Sequence, residues 1–514
     1  MSKREIAVAE LSEINDGEMK EMSAGETKIL LARVDGTCYA LGANCTHYGA
    51  PLVDGVLSGD RIVCPWHHAC FNARTGDMEE PPALDSLPGF DLRIENGKIL
   101  VSLPEDVTDR RTPKITNREP QDDRLFIILG GGAAGYMAAQ TLREDGFTGR
   151  VLIITREDRA PYDRPNLSKD YLQGHAEPEW MPLRGEEFFA EYDIELMLGS
   201  EVVSVDAGQK TVKFSDGQKL TYDSLLVATG GVPRKLPFQS DDQENVFLLR
   251  SFTDSDAIIA AAGKGKHAVV IGASFIGMEA ASSLKIRGCE VTVVAPDEVP
   301  FVNILGREIG ELFQHIHEQN GVKFKLGTQV KSFAGRGRVE EVVLENGERL
   351  RADLVVVGIG VKPATDFLDG VTLHKDGGVI ADKYLSIGDA LYAAGDIAHF
   401  PDARTGEHTR IEHWRTALQQ GRVAAHNMAG RPTPFDSVPF FWTTQFDATL
   451  NYVGHAKEWD RIVIQGDVRQ QDFLAFYVKA GRILAVAGMN RDREIDLWEE
   501  RMRLDQMPSP DQLP

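Results

Sequence analysis

The pattern of apolar and polar positions changes character several times along the 514 residues. Up to about Leu103, short runs alternate apolar and polar residues between glycine turns, as in GKILVSLP from Gly97, which predicts a small all-β domain over 1–103. Residues 104–124, PEDVTDRRTPKITNREPQDDR, are charged, dotted with proline and poor in apolar positions, which predicts a linker. Pulled straight, that stretch could span roughly 70 Å, so the first domain is expected to dock with latitude. From Leu125 the run LFIILGGGAAGYMAAQTLREDGFTGRVLIIT predicts an apolar strand, a glycine turn, an alanine-rich helix and a second apolar strand. The unit recurs from His267 as HAVVIGASFIGMEAASSLKIRGCEVTVVAPDEVPF. Near the end, DFLAFYVKAGRILAVAGMN reads as strands and is followed by a charged helix from about Asp492.

Composition narrows the class without choosing the chemistry. Length alone predicts roughly three or four domains. A net charge of −22 argues against nucleic acid and anionic membrane surfaces as partners. No run of eighteen apolar residues and no signal-peptide core occurs, and five cysteines make no disulfide framework, so a cytoplasmic setting is expected.

Two short segments carry metal-ligand spacing: Cys45-Thr-His47 and, sixteen residues on, Cys64-Pro-Trp-His67. A Rieske [2Fe-2S] centre holds one iron by two thiolates and the other by two imidazoles, so two gripping loops each supply one cysteine and one histidine. A zinc site with both cysteines on one knuckle fits less well and stays as the alternative. His68 is off the ligand spacing and is expected at the surface or behind the ligands. Cys38, Cys70 and Cys289 read as small buried side chains.

The first glycine turn, Gly130, Gly132, Ala134 and Gly135, stands where a Rossmann unit brings backbone close to a pyrophosphate at a helix N-terminus. Glu157, after the second strand, is expected to meet a ribose. The repeat, Gly272, Ser274 and Gly277, has serine for the middle glycine. Two such units predict two dinucleotides, a flavin and a nicotinamide.

On these motifs residues 125–514 resemble two-dinucleotide flavoprotein reductases, particularly oxygenase-type ferredoxin reductases and apoptosis-inducing-factor-like proteins. The part before them resembles Rieske ferredoxins and the Rieske domains of oxygenase systems. The resemblance implies an FAD domain over 125–243 and 367–432, a nicotinamide domain over 244–366 and a C-terminal α/β domain over 433–514. APYDRPNLSK resembles a flavin-side segment, which puts Arg164 and Lys169 near the ring with Lys169 paired to Glu279. LLVATGGVPR, LYAAGDIAHF, IEHWRTALQQG and VPFFWTTQF likewise nominate Thr229, Gly230, Gly395, Asp396, Glu412, His413, Trp414 and Trp442. Thr444 stands where many relatives have aspartate and is left out of the site.

Departures bound what the resemblance implies. The cysteines that bridge the two loops in respiratory Rieske domains are replaced by Ala50 and Trp66, so a potential toward the low end of roughly −150 to +300 mV is expected. Asp297 follows the second nicotinamide strand two residues late, and no arginine stands beside it, which favours NADH with NADPH possible. Thiol chemistry is excluded, because no cysteine lies between Cys70 and Cys289. The expected activity carries electrons from NADH through FAD to the Rieske cluster, leaving by the exposed edge of His47 and His67 to a ferredoxin or oxygenase component. The alternative is a slowly turning, redox-responsive NADH-binding interaction protein. The sequence leaves the oligomeric state open.

Overall fold

A computed structural model describes residues 4–240 and 243–513; residues 1–3 and 514, the ends of the first and last expected domains, lie outside it. The N-terminal domain is all-β, as its alternating pattern requires. Strands Arg4–Glu10, Met19–Ala24, Thr27–Val34, Thr37–Gly42, Gly89–Glu95 and Lys98–Leu103 form one antiparallel sheet. A four-stranded meander, Val56–Ser58, Arg61–Val63, Cys70–Asn72 and Met78–Glu80, carries the second ligand loop in its middle connection.

The first Rossmann unit is built on Leu125–Leu129, whose five residues are all buried because parallel strands are covered on both faces. Helix α1 (Ala133–Glu144) follows the glycine turn. The sheet also takes in Leu391–Ala393, parallel to Ser224–Val227, so the chain returns to this domain after completing the next. That intervening domain is a parallel sheet of Val246–Leu248, Leu354–Val357, His267–Ile271, Glu290–Val294 and Lys323–Lys325, with helix α2 (Phe275–Ile286) after its turn. Helix α3 (Trp414–Met428) crosses α1 at Gly421, where a Cβ would lie 2.2 Å from the Ala134 carbonyl oxygen. The C-terminal domain is a five-stranded antiparallel sheet, beginning at Phe440–Gln445, packed against α4 (Asp492–Arg503).

Residues 104–124 are not the loose tether their composition predicts. Arg111 makes an isolated bridge with Ser86 and reaches the Asp77 carboxylate at 2.6 Å. Further along, the Thr116 amide donates to the Arg143 carbonyl at 3.0 Å and that of Glu119 to Thr148 at 2.9 Å. The segment is a strap whose polar groups bond to both domains, which a count of charges and prolines does not reveal.

Candidate redox site

The two ligand loops share one backbone plan. The Cys45 amide donates to the Ala50 carbonyl at 2.8 Å and the Cys64 amide to Ala69 at 2.9 Å. Each cysteine carbonyl accepts from the amide four residues on, Gly49 at 2.9 Å and His68 at 3.1 Å. Both of those residues take left-handed φ, 79° and 58°. The thiols of Cys45 and Cys64 are buried and hydrogen-bonded to each other, while Nδ1 of His47 and of His67 stand 3.2 Å apart.

The donors therefore divide into a sulfur pair and a nitrogen pair. Each loop contributes one donor of each kind, Cys45 and His47 from the first and Cys64 and His67 from the second. A single zinc, about 2.0–2.3 Å from each ligand, would draw all four within about 4 Å of one another. Two irons, one for the sulfur pair and one for the nitrogen pair, match this donor set, so the residues fit a [2Fe-2S] cluster. Amides of Trp66 and His67 donate to the Cys64 sulfur, and burial pushes the His47 imidazole down to about 3, keeping it in the neutral form that binds metal.

His47 and His67 do not form a free outer edge. The His67 ring lies 4.3 Å from that of Trp442, and the ring of His47 stacks at 3.9 Å on Tyr48. The Tyr48 hydroxyl donates to Asp163 and accepts from Asn166 at 2.8 Å, both on the flavin-side segment. The ligand loops thus face the reductase, because aromatic and polar partners distant in sequence cover them. His68 also departs from a surface position: it is fully buried, stacks at 3.9 Å on Phe440 and is hydrogen-bonded to Glu499.

Beyond Trp442 lies a cavity of about 1270 Å³ walled by both Rossmann-like domains and the strand Phe440–Gln445. Its lining includes Gly130, Gly132, Ala134, Glu157, Arg164 and Lys169 from the first segment. Thr229, Gly230, Glu279, Gly395, Asp396, Glu412, His413, Trp414 and Trp442 complete the nominated residues that line it. A Cβ on Gly132 would meet nothing within 4 Å, leaving the space a pyrophosphate needs, whereas one on Gly135 would stand 1.9 Å from the Gly130 carbonyl oxygen. The residues fit FAD. Gly135, Gly272, Ser274, Gly277 and Asp297 lie outside this lining, although Phe275 and Ile276 of α2 reach it. Ser274 has the same extended backbone as Gly132, φ −99° against −92°. None of the five cysteines lines the cavity.

Electrostatics at the cavity are set by paired groups. Lys169 Nζ donates to Glu279 at 2.9 Å, and the same carboxylate accepts Ser168 Oγ at 2.6 Å and Thr443 Oγ1 at 2.7 Å. Burial alone would raise the Glu157 carboxyl, but Arg164 at 2.7 Å and the Tyr162 hydroxyl at 2.5 Å bring it below its usual value. Arg250, which the motifs did not single out, pairs with Asp396 at 2.7 Å. Arg410 was missed as well. Its Nη1 reaches the Asp396 carbonyl at 2.7 Å and Glu412 at 2.5 Å, while its Nε rests on Asp376 at 2.9 Å. Asp376 also accepts from His374 and His399, each at 3.0 Å, so this trio with its arginine braces the Asp396 loop. Its one trace in the sequence is His399, three residues after Asp396. Thr444 bonds to Thr449 and stays out of the cavity.

The strand Phe440–Gln445 divides the neighbourhood by its two-residue period. Phe440 and Trp442 meet His68 and His67, while Phe441 meets Phe275 at 4.8 Å and Thr443 meets Glu279. One face meets the N-terminal domain and the other meets helix α2.

Two interleaved dinucleotide-binding sheets, a shared cavity and a mixed thiolate–imidazole site define a flavoprotein reductase with a Rieske domain attached. Residues 125–421 match the model for "Pyridine nucleotide-disulphide oxidoreductase", residues 4–91 that for "Rieske [2Fe-2S] domain" and residues 440–514 that for "Reductase C-terminal". The chain belongs to the pyridine nucleotide-disulphide oxidoreductase family and is an NAD(P)H-dependent oxidoreductase of that family, with FAD and a [2Fe-2S] cluster as its cofactors. It is 41% identical over 500 residues to apoptosis-inducing factor 3 of Mus musculus and of Homo sapiens, covering 95% of this chain and 82% of theirs. Putidaredoxin reductase of Pseudomonas putida is 33% identical over 377 residues, 72% of this chain and 89% of that one. The solved covalent putidaredoxin reductase–putidaredoxin complex superposes with a TM-score of 0.73 at 31% identity, over 76% of this chain and 95% of the other. Among the described residues no helix is long and apolar enough to cross a membrane.

Proposed function

We propose that this chain passes electrons from NADH through FAD to its own Rieske cluster and on to a ferredoxin or an oxygenase component. The observation that supports this reading is the His67 ring 4.3 Å from Trp442, which itself lines the flavin cavity. Bound FAD takes two electrons as hydride and yields them singly to a one-electron cluster. The protein's part is placement: Gly130, Gly132 and Ala134 receive the pyrophosphate, Gly135 lets the helix pack against the Gly130 carbonyl, Glu157 takes the adenosine ribose, and Thr229, Gly230, Gly395 and Asp396 the remainder of the flavin. Lys169, held by Glu279, would donate a hydrogen bond at the ring edge, whereas Arg164, paired with Glu157 at 2.7 Å, belongs with the adenosine end and not beside the ring as its segment suggested. Gly272, Ser274 and Gly277 receive the nicotinamide dinucleotide, and Asp297, with no arginine beside it, favours NADH. Relatives named as reductases of putidaredoxin and rubredoxin support a one-electron carrier protein as acceptor.

The likeness to apoptosis-inducing factor 3, which extends across the Rieske part, favours a second reading: slow flavin reduction whose product state is read by a partner. Rapid mixing with NADH separates the two. Flavin bleaching in milliseconds followed by cluster reduction supports the reductase. A long-lived charge-transfer band with the cluster left oxidised overturns it.

A further inference from the structure

Resting on that reading, we propose that the Rieske domain is a permanently seated internal acceptor, so that external carriers are served from the cluster and never from the flavin directly. A Rieske domain on a long charged segment could instead swing between the flavin and a partner. What argues for a fixed seat is the material at the joint, which a transient contact would not bury.

Arg415 of α3 is fully buried and donates at once to Glu80 of the Rieske domain at 3.0 Å and to Glu499 of α4 at 2.7 Å. Its Nε donates to the Rieske carbonyl of Pro81 at 3.0 Å. In the other direction, Arg61 of the Rieske domain, 8% exposed, pairs with Glu500 at 3.1 Å and with Glu80 at 2.9 Å. The two arginines and three carboxylates interlock across the boundary. Parting the domains would break the two cross-boundary pairs, Arg415 with Glu80 and Arg61 with Glu500, and breaking a buried pair is strongly destabilising even where each arginine keeps one partner on its own side. A second anchor joins Asp85, buried on the Rieske side, to Arg184 at 2.7 Å.

A third contact is made by the Tyr48 hydroxyl, which fastens the His47 loop to Asp163, six residues before Lys169. Tyr48 is thus a positioning residue for the cluster relative to the flavin cavity. The cluster-side face of Phe440–Gln445 is covered by His67 and His68, so a separate carrier finds the approach past Trp442 occupied. The electron balance is closed by two one-electron acceptors: one NADH and two oxidised carriers give NAD+, one proton and two reduced carriers, each electron crossing the cluster in turn.

The test uses the intact holoprotein in stopped flow with NADH, with added sucrose, and with cytochrome c as carrier. A fixed seat predicts that the flavin-to-cluster phase is insensitive to viscosity. Tyr48→Phe should slow that phase about fivefold, the factor equivalent to about 1 kcal/mol of lost hydrogen bonding, with flavin reduction and the paramagnetic spectrum of the reduced cluster unchanged. After one turnover's reduction, cytochrome c should take its second electron at the same slowed rate. A cluster phase that falls in proportion to viscosity overturns the fixed seat alone, as does a second cytochrome c electron at the unmodified rate in Tyr48→Phe. A cluster that stays oxidised while the flavin reduces overturns the proposed function and the fixed seat together.

Discussion

Replacing Lys169 by methionine keeps the length of the side chain and removes its charge, which tests whether the ammonium acts at the flavin. Glu279 is 3% exposed and would keep the hydroxyls of Ser168 and Thr443 but lose its cation. Breaking a buried pair in this way costs about 3–5 kcal/mol, and the two remaining donors hold the loss toward the lower end. A hydrogen bond from a charged group is worth about 1.5–3 kcal/mol, so flavin reduction by NADH should slow by about 10- to 100-fold. Glu279 reaches the cavity chemistry through Lys169, so Glu279→Gln should slow the step less, and the double variant should be no slower than Lys169→Met alone. The assay is anaerobic stopped flow at saturating NADH, with FAD content measured for each variant. An unchanged rate in Lys169→Met would refute the role of the ammonium. Losses that multiply in the double variant would refute the dependence of Glu279 on it.

His317 is fully buried and bonded to Gln445 at 2.8 Å, with burial pushing it from its ordinary 6.5 to about 4. The unfolded chain takes up its proton first as pH falls, so its contribution is complete above 6.5 and lost toward 4: about 2 kcal/mol by pH 5. Denaturant titrations at pH 7.5 and 5 should show that much less pH dependence in His317→Gln. Gly132→Ala should fold and bind FAD weakly, whereas Gly135→Ala should lower the melting temperature even with excess FAD, because its methyl meets the Gly130 carbonyl; ultrafiltration and thermal scans check both. Metal analysis should give two irons and no zinc per chain, and Cys64→Ser should lose the dithionite-induced paramagnetic signal of a mixed-ligand cluster.

Both Rossmann units were legible because glycine turns between apolar strands state their geometry locally, and the ligand loops because spacing alone divides the donors. The seating of the Rieske domain was not. Glu80 and Arg415 are 335 positions apart, Arg61 and Glu500 439, and each reads in isolation as an ordinary solvated charge. For His68 the sequence left surface and buried positions both open for the same reason: its covering groups, Phe440 and Glu499, belong to the opposite end of the chain. The charged segment at 104–124 misled in the opposite sense, since polar side chains that predict looseness also supply the bonds that pin it.

The alternating faces of Phe440–Gln445 have a kinetic corollary. If electrons take the proposed route, pyridine nucleotide arrives and departs through one doorway while single electrons leave through another, so neither kind of traffic has to clear before the other moves. Departure of spent NAD+ and reoxidation of the iron can then overlap in time. Families of steady-state lines for nucleotide and carrier should intersect instead of running parallel.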